Sequence, residues 1–373
     1  MPSSRIAALD YLRGLSVLGI LMVNAIAFAQ PMDVYDHPHL IAMSAADQSV
    51  WTMIEVVFRD KFITAFTLLF GVSTFLVGAE PRILRRRLLW LALFGVVHGA
   101  LIWQGDILLL YAVCGLVFAR WRFMAWRRLL AMGLIVFVVG AVTVDWPRGD
   151  GSLLDLGQVA QMRAGFLGSL TGNFVEWASH IAPTVIVYLP VTLGGMMIGL
   201  GLFHGGFLKG EAPVRTYVLA VAAATLGLGL IALAVSIHSP WEPMVNGLLC
   251  LPVTLGYAGA LILIGRAASG RAILYPLACA GRMAFTNYLC QSLIMTAIFY
   301  GGRGLGFPGL GLFGTMAHAA LVPIVVTIWI GQLIASTVWL RWFRYGPFEW
   351  VWRSLSCGRR LALRLKPSPP MRA

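Results

Sequence analysis

Two titratable residues, His98 and Asp106, lie close together in a stretch of sequence that is otherwise almost entirely apolar. They occur in VHGALIWQGDILLLYAV (97–113), with only a tryptophan and a tight Gln-Gly turn between the two apolar runs. A half-buried imidazole tends to stay neutral, as a general base requires, while a nearby carboxylate stabilises its charged form. His98 could therefore abstract a proton, oriented by Asp106. Alternatively, His98 bonds to a neighbouring helix and Asp106 only caps the helix that it begins.

The first apolar segment, LDYLRGLSVLGILMVNA, carries a second set of polar residues. Asp10 and Arg13 are three residues apart and can pair on one helical face. Asn24 follows Arg13 by eleven residues, which places it on the same face about 16 Å along the helix axis. We predict that this stripe of Asp10, Arg13 and Asn24 binds substrate. The alternative is that Arg13 anchors the helix at the membrane surface while Asn24 makes a helix–helix hydrogen bond.

Two further groups are weaker candidates for binding. Glu55, Arg59 and Lys61 precede or open the second apolar segment, and the spacing of Glu55 and Arg59 favours a solvated, ion-paired face. Arg282 and Asn287 occur in GRMAFTNYLCQS (281–292) on the ninth segment. For Arg282, snorkelling to the membrane surface competes with binding of an anionic ligand.

The composition indicates a lipid environment for the helices that must position these residues. The chain is 59% hydrophobic and 12% charged, whereas a soluble domain carries roughly a quarter charged residues. A spanning helix needs about 20 mostly apolar residues. We therefore predict an all-α, polytopic membrane protein with about ten transmembrane helices. The predicted segments are 12–29, 62–79, 88–104, 106–119, 129–144, 181–204, 216–238, 245–265, 280–300 and 309–336.

The net charge of +13 is distributed unevenly along the chain. If the N-terminus is cytoplasmic, 22 of the 28 Lys and Arg residues fall on the inner side and five on the outer side. Because cytoplasmic loops are enriched in Lys and Arg, we predict that both termini are cytoplasmic. The basic residues are then expected to anchor the protein at the inner leaflet of the bilayer, and we predict no nucleic-acid partner. We predict one integral membrane domain (1–355) and a basic cytoplasmic tail (356–373).

Other patterns indicate structure rather than chemistry. Gly195 and Gly199 have the small-residue spacing that lets helices approach closely in lipid. Trp103 is expected at the outer membrane interface, and RYGPFEWVWRS (344–354) is typical of an interfacial helix. No His-Glu-x-x-His motif is present, and we predict no metal site.

Five motifs together resemble a known family. The motifs are R-x-x-x-LDYLRGLSVLGILMVN, KFITAFTLLFGVS, VVHGALIWQGDILLLYAVCGL, GRMAFTNYLCQS and YGPFEWVWR, in that order. They resemble the YeiB-like bacterial inner-membrane proteins over residues 5 to about 355. The second half, about 150–355, resembles the domain of unknown function 418. The resemblance implies a multi-pass protein of the bacterial cytoplasmic membrane.

A more distant resemblance implies an activity. Arg13 followed eleven residues later by a polar residue is similar to the transmembrane acyltransferase superfamily. That resemblance implies acyl-CoA, such as acetyl-CoA, as a cytoplasmic donor and a small-molecule or glycan acceptor outside. The sugar-acylating branch has His where this chain has Asn24. The glucosamine-acetylating branch has Asn there and takes a His from the following loop, where this chain has His37 and His39. His98 remains the first candidate for the base, with Asp106 as its orienting group.

Three functions are therefore open. The leading hypothesis is acyl transfer, in which Arg13 holds the phosphates of the donor or polarises its carbonyl and Asn24 lies nearer the reacting centre. The rival is a small-molecule transporter, in which the same residues form a proton or substrate relay. The third hypothesis is a non-catalytic membrane scaffold, in which the polar residues only form hydrogen bonds between helices.

Overall fold

The computed structural model describes residues 6–78, 80–145, 154–304 and 309–365, and these residues form an all-helical fold. Each of the ten predicted apolar segments overlaps one of its longer helices. A short 3-10 turn (Pro38–Leu40) follows α2, and a π-helix (Ile54–Phe58) joins α3 to α4. The α-helices are α1 (Ala7–Ala29), α2 (Met32–Asp36), α3 (Ala45–Met53), α4 (Lys61–Leu76), α5 (Pro81–Leu101), α6 (Leu108–Phe118), α7 (Trp126–Val144), α8 (Leu156–Arg163), α9 (Gly165–His204), α10 (Val214–Ser236), α11 (Glu242–Arg266), α12 (Ala268–Ile273), α13 (Tyr275–Arg282), α14 (Ala284–Phe299), α15 (His318–Trp339) and α16 (Pro347–Cys357).

The helices confirm a polytopic membrane protein. Within the described residues, six helices are long and apolar enough to cross a bilayer, namely α1, α7, α9, α10, α11 and α15. The helices α6 and α14 are apolar but shorter. The 40 residues of α9 extend about 60 Å, roughly twice the thickness of the hydrocarbon core. Because the predicted spanning segment 181–204 covers only its second half, the first half of α9 extends beyond the predicted span.

The first helix, α1, is the central element of the fold. Of its 23 residues 18 are buried, because α4, α11, α13, α14 and α15 all pack around it. The residues that stay partly or fully exposed are Ala7, Ala8, Arg13, Leu15 and Asn24. Beyond the first turn, only Arg13, Leu15 and Asn24 of this helix are partly exposed.

The glycine pair predicted for close packing is confirmed in that role. A Cβ atom added at Gly199 would lie 2.1 Å from the carbonyl oxygen of Leu68, and one at Gly195 would lie 2.7 Å from Cγ2 of Thr67. Both neighbours belong to α4, so the glycines let α9 contact the α4 backbone directly.

Two expectations about local structure were wrong. The ninth apolar segment is broken, because α13 ends at Arg282 and α14 begins at Ala284. The Trp103 side chain does not face lipid, as an interfacial tryptophan would: it is 2% exposed and stacks on Phe28 with ring centroids 4.0 Å apart. Its aromatic ring packs against other side chains inside the protein.

The predicted helix after the last long segment is present as α16, and it also supports another helix. Both N–H groups of Phe285 and Thr286 donate to Oε1 of Glu349, at 2.7 and 3.0 Å. The Thr286 hydroxyl donates to Oε2. Glu349 therefore caps the start of α14, where a negative charge is favoured by the helix dipole. Residues 366–373 of the predicted basic tail lie outside the described residues.

A polar contact joins α3 to the start of α15. Asp47 accepts hydrogen bonds from the Ser44 hydroxyl at 2.6 Å and from the N–H of Ala319 at 2.9 Å. These bonds, led by the one from Ser44, lower the pKa of Asp47 below its usual range. One carboxylate thus caps two helices, its own and α15.

Candidate functional site

The structure joins His98 and Asp106 directly and adds a third residue, Ser292. Nδ1 of His98 lies 2.9 Å from Oδ1 of Asp106, and Nε2 lies 2.9 Å from Oγ of Ser292. All three side chains are buried. A carboxylate, an imidazole and a hydroxyl in this order form the hydrogen-bond pattern by which an imidazole activates a hydroxyl group.

Local structure explains how His98 and Asp106 meet. His98 lies in the last turn of α5, and its carbonyl oxygen accepts the N–H groups of Ile102 and Trp103, which end the helix. The chain then turns back, and Oδ2 of Asp106 accepts the N–H of Leu109 in the first turn of α6. Asp106 therefore performs both roles that the sequence left open, since one oxygen orients His98 and the other caps α6.

The hydrogen bonds favour one tautomer of His98. An ionised Asp106 only accepts hydrogen bonds, so Nδ1 carries the proton that the pair shares. In the neutral imidazole, Nε2 is then an acceptor facing the Ser292 hydroxyl. That hydroxyl also lies 3.2 Å from the carbonyl oxygen of Tyr288. When Nε2 is protonated, Ser292 can accept from it and turn its own hydrogen towards Tyr288.

The turn between α5 and α6 is held in place by two residues from elsewhere in the chain. The Asn173 amide donates to the carbonyl oxygens of residues 99 and 100 and accepts the N–H of Gln104. The guanidinium of Arg303 donates to the carbonyl oxygens of residues 101 and 102 at 2.9 and 2.8 Å. These bonds satisfy the free carbonyls at the end of α5 and fix the position of His98.

Two buried donors beside His98 donate no hydrogen bond to any described residue, although the backbone N–H of Ile107 lies beside the Tyr288 oxygen. They are the hydroxyl of Tyr288 and the indole N–H of Trp103. The ring centroids of Tyr288 and Trp103 lie 5.0 and 6.5 Å from that of His98. Buried donors are rarely left unpaired, and where they occur they often belong to a functional site.

The polar stripe of α1 does not contact His98. Arg13 pairs with Asp10 at 3.1 Å, and its side chain is 27% exposed. Since Asp106 and Ser292 occupy both ring nitrogens of His98, neither Arg13 nor Asn24 is a partner of the imidazole. Asn24 is half-buried one turn before Phe28, which stacks on Trp103. Of the stripe, Asn24 is the residue nearest in sequence to the aromatic rings around His98.

Asn287 belongs to a buried hydrogen-bond network that joins α14 to α1, α13 and α15. Its side-chain amide donates to the carbonyl oxygen of Ala280 and to Oγ of Ser336, at 3.2 and 3.1 Å, and its backbone carbonyl oxygen accepts from the Gln332 amide at 2.9 Å. Gln291 bonds to both Gln332 and the carbonyl oxygen of Val17 in α1. These bonds explain Asn287 as a packing residue between α14 and α15. Arg282 is half-buried at the end of α13.

The solvated ion-paired face predicted for Glu55, Arg59 and Lys61 was wrong. Glu55 is 2% exposed and Lys61 is fully buried. Arg59 pairs with Glu55 at 3.0 Å, while the ammonium of Lys61 donates to the carbonyl oxygen of Glu55 and to Oδ1 of Asn246. The π-helix turns these groups into the bundle, where α11 covers them. Asp60 has a φ of +64°, which is uncommon for a residue other than glycine.

A cavity of about 350 Å³ lies next to this cluster and opens on the predicted extracytoplasmic side. Its lining includes Gln104 and Gly105, so one wall is the turn that carries Asp106. Among the described residues, three carboxylates line it, Asp60, Asp145 and Glu176. The volume is within the range of small-molecule sites.

His37, in the segment after the first helix, is not a hydrogen-bond partner of His98. His37 is half-buried and follows α2, and it does not line the cavity, although Tyr35 of the same segment does. The side chain of His39 lies outside the described part of the chain. The sequence also did not identify Ser292. Its signal was the spacing of Tyr288 and Ser292, one helical turn apart in the motif that contains Asn287.

These features define the class: a polytopic helical membrane protein with a buried carboxylate–imidazole–hydroxyl relay. Residues 202–359 match the family described as a protein of unknown function, DUF418. The chain is 31% identical to YeiB of Escherichia coli (strain K12), over 94% of this chain and 96% of YeiB. It is 30% identical to YxaH of Bacillus subtilis (strain 168), over 95% of this chain and 94% of YxaH. Both relatives are described as uncharacterized proteins. The chain belongs to the DUF418 family.

Proposed function

We propose that the protein is an acyltransferase of the bacterial cytoplasmic membrane. It moves an acyl group from cytoplasmic acyl-CoA to an extracytoplasmic hydroxyl or amine acceptor. The observation that supports this most is the Asp106–His98–Ser292 relay, with distances of 2.9 Å at both ring nitrogens. Acyl transfer requires a neutral base that removes a proton from a nucleophile, and a relay of this kind contributes about 10²–10⁴-fold to the rate.

The overall reaction is balanced by one proton transfer. The acceptor oxygen or nitrogen forms a bond to the thioester carbonyl carbon and loses a proton to the imidazole. The carbon–sulfur bond breaks, and the thiolate of CoA takes that proton from His98. Asp106 stabilises the imidazolium between these two events, as its bond to Nδ1 allows.

We propose that the acceptor enters the protein through the outer cavity. It is separated from His98 by the Gln104–Gly105 turn and is lined by three carboxylates and one guanidinium, that of Arg59. Arg59 is already paired with Glu55. This charge balance favours a neutral or amino-bearing acceptor over an anionic one.

The donor is assigned to the opposite side of the bundle. The nucleotide end of CoA carries phosphates, which Arg and Lys bind. Arg85 and Arg86 are exposed at the start of α5, and Arg86 contacts the carbonyl oxygen of Leu355 in α16. Arg13 and Arg282 are half-buried near the same end. Asn24 lies further along α1 and is also half-buried.

The test uses purified protein with a panel of acyl-CoA thioesters. Free thiol should be released, and His98→Ala should abolish the release while thermal unfolding stays cooperative. A matched control is His238→Asn, because His238 is exposed and adopts a left-handed conformation that Asn tolerates. No thiol release by the wild-type protein with any donor, with or without added hydroxyl- and amine-bearing acceptors, would refute the acyltransferase.

One observation favours a transporter instead. Glu55 and Lys61 are ionisable residues buried inside the helical bundle, and such residues often mark ion or substrate pathways. A transporter would show proton-driven solute flux in vesicles and no stabilisation by CoA in a thermal-shift assay. An acyltransferase would show the reverse.

A further inference from the structure

We propose that Ser292 is the nucleophile that carries the acyl group as an ester between donor and acceptor. This inference deepens the proposed function and rests on it. Transfer would then occur in two half-reactions through one serine, rather than directly from CoA to the acceptor.

The position of Ser292 on His98 is the first argument. Nε2 of His98 is the nitrogen that must act as base, and the Ser292 hydroxyl already occupies it at 2.9 Å. An acceptor could use the same nitrogen directly only by displacing Ser292. The hydroxyl that is in place for deprotonation in the described residues is therefore that of Ser292.

A comparison along α14 shows that this contact is not a general property of its hydroxyl residues. Thr296 lies one turn further on, and its hydroxyl bonds to the carbonyl oxygens of Ser292 and Leu293 in its own helix. The Ser292 hydroxyl also lies 3.2 Å from a carbonyl oxygen of its own helix, that of Tyr288, but in addition it bridges from α14 to α5. This bridge spans 194 residues of sequence.

The two buried donors beside His98 provide the second argument. Attack on a thioester places negative charge on the carbonyl oxygen, and nearby N–H or O–H donors stabilise that charge. The Tyr288 hydroxyl and the Trp103 indole N–H are both buried and donate no hydrogen bond to any described residue, and their rings lie beside that of His98. Tyr288 precedes Ser292 by four residues, so the two side chains lie on one face of α14. We assign both donors to the oxyanion.

In the first half-reaction, Oγ of Ser292 bonds to the thioester carbonyl carbon and its proton moves to Nε2 of His98. The carbon–sulfur bond breaks, and the CoA thiolate takes the proton. In the second, the acceptor attacks the serine ester and gives its proton to His98. The ester bond breaks, and Oγ of Ser292 recovers the proton. No oxidant or further reactant is needed.

A covalent intermediate also fits the geometry of a buried site. The donor approaches from one side of the membrane and the acceptor from the other, while the relay between them is enclosed. A serine ester lets CoA leave before the acceptor enters, and enclosure protects the ester from water.

The experiment measures thiol release from acetyl-CoA without an added acceptor, by rapid mixing and acid quench. The wild-type protein should release a burst of about one thiol per protein molecule. The peptide containing Ser292 should gain the mass of one acetyl group. Ser292→Ala should show neither, while the matched control Thr296→Ala should show both. Ser292→Cys should retain an adduct, now as a thioester, which tests the position even where the alanine variant folds poorly.

The outcomes separate this inference from the proposed function. If the Ser292→Ala protein releases thiol at the wild-type rate and no acetylated peptide forms, transfer is direct and the inference is overturned, while the acyltransferase stands. If the wild-type protein shows no burst and no acetylated peptide but releases thiol once hydroxyl- and amine-bearing acceptors are added, transfer is direct and only the inference is overturned. If it releases no thiol with any acyl-CoA, with or without these acceptors, the proposed function fails and the inference fails with it.

Discussion

Replacing Asp106 with Asn should reverse the tautomer of His98 while leaving the fold in place. Asp106 accepts the imidazole proton with one oxygen and the N–H of Leu109 with the other, both at 2.9 Å. The Asn side chain has one oxygen, which keeps the bond to Leu109, so its NH₂ group faces Nδ1. Nδ1 must then accept, and Nε2 carries the hydrogen. In this tautomer His98 cannot take a proton from Ser292.

The expected magnitude follows from losing both the tautomer and the negative charge. The corresponding substitution in serine proteases lowers turnover about 10⁴-fold, and a general base alone contributes about 10²–10⁴-fold. We therefore expect thiol release by Asp106→Asn to fall by about 10²–10⁴, or roughly 3–5 kcal/mol of transition-state stabilisation. Stability should change by only about 1 kcal/mol, because one hydrogen bond replaces another.

The assay is thiol release with acetyl-CoA, combined with thermal unfolding of the same samples. Asp106→Ala is the contrasting variant, since it leaves both the Nδ1 proton and the Leu109 N–H without an acceptor. Each buried group left unpaired costs about 1–3 kcal/mol, so this variant should lose stability as well as activity. Activity of Asp106→Asn within threefold of the wild-type protein would refute the role assigned to the tautomer.

Three further predictions concern stability, each measured by thermal unfolding in detergent. Gly199→Ala should destabilise the fold by about 1–3 kcal/mol, because its Cβ would lie 2.1 Å from a carbonyl oxygen of α4. The control Gly229→Ala has open space around the added carbon and should be neutral or stabilising. Equal effects of the two substitutions would contradict this account of α9 packing. Glu349→Ala should lower the free energy of unfolding by about 2–4 kcal/mol, since it removes three hydrogen bonds at the start of α14. Glu80 is exposed, so the control Glu80→Ala should lower it by less than about 1 kcal/mol. Because the pKa of Asp47 is lowered, its ionised form stabilises the fold above about pH 4, and this contribution is lost as the pH falls further. Asp47→Asn should therefore reduce the fall in melting temperature between pH 5 and 3. An unchanged fall would exclude a stabilising role for the ionised Asp47.

The apolar segments could be predicted from sequence because lipid imposes a composition on every spanning helix. The pairing of His98 with Asp106 could also be anticipated, since a tight turn brings the ends of two adjacent helices together. These are local properties, and they depend on residues separated by fewer than ten positions.

The third member of the relay could not be predicted, because Ser292 is 194 residues from His98. One sequence does not reveal which helices are neighbours. The burial of Glu55 and Lys61 was missed for a similar reason: their spacing is that of an exposed ion-paired helix, and α11, which covers them, comes much later in the chain. Trp103 was misplaced because the same aromatic residue suits both a membrane surface and the packed ring next to Phe28.

The cap that Glu349 places on α14 has a consequence for synthesis of the chain. The bonds span 63 and 64 residues, and the acceptor emerges from the ribosome after the donors. At about 5–20 residues per second, the start of the helix that holds Ser292 waits several seconds for its cap. A nascent chain thus completes this support last, and premature termination before α16 would yield an inserted bundle whose serine helix is unsecured at one end.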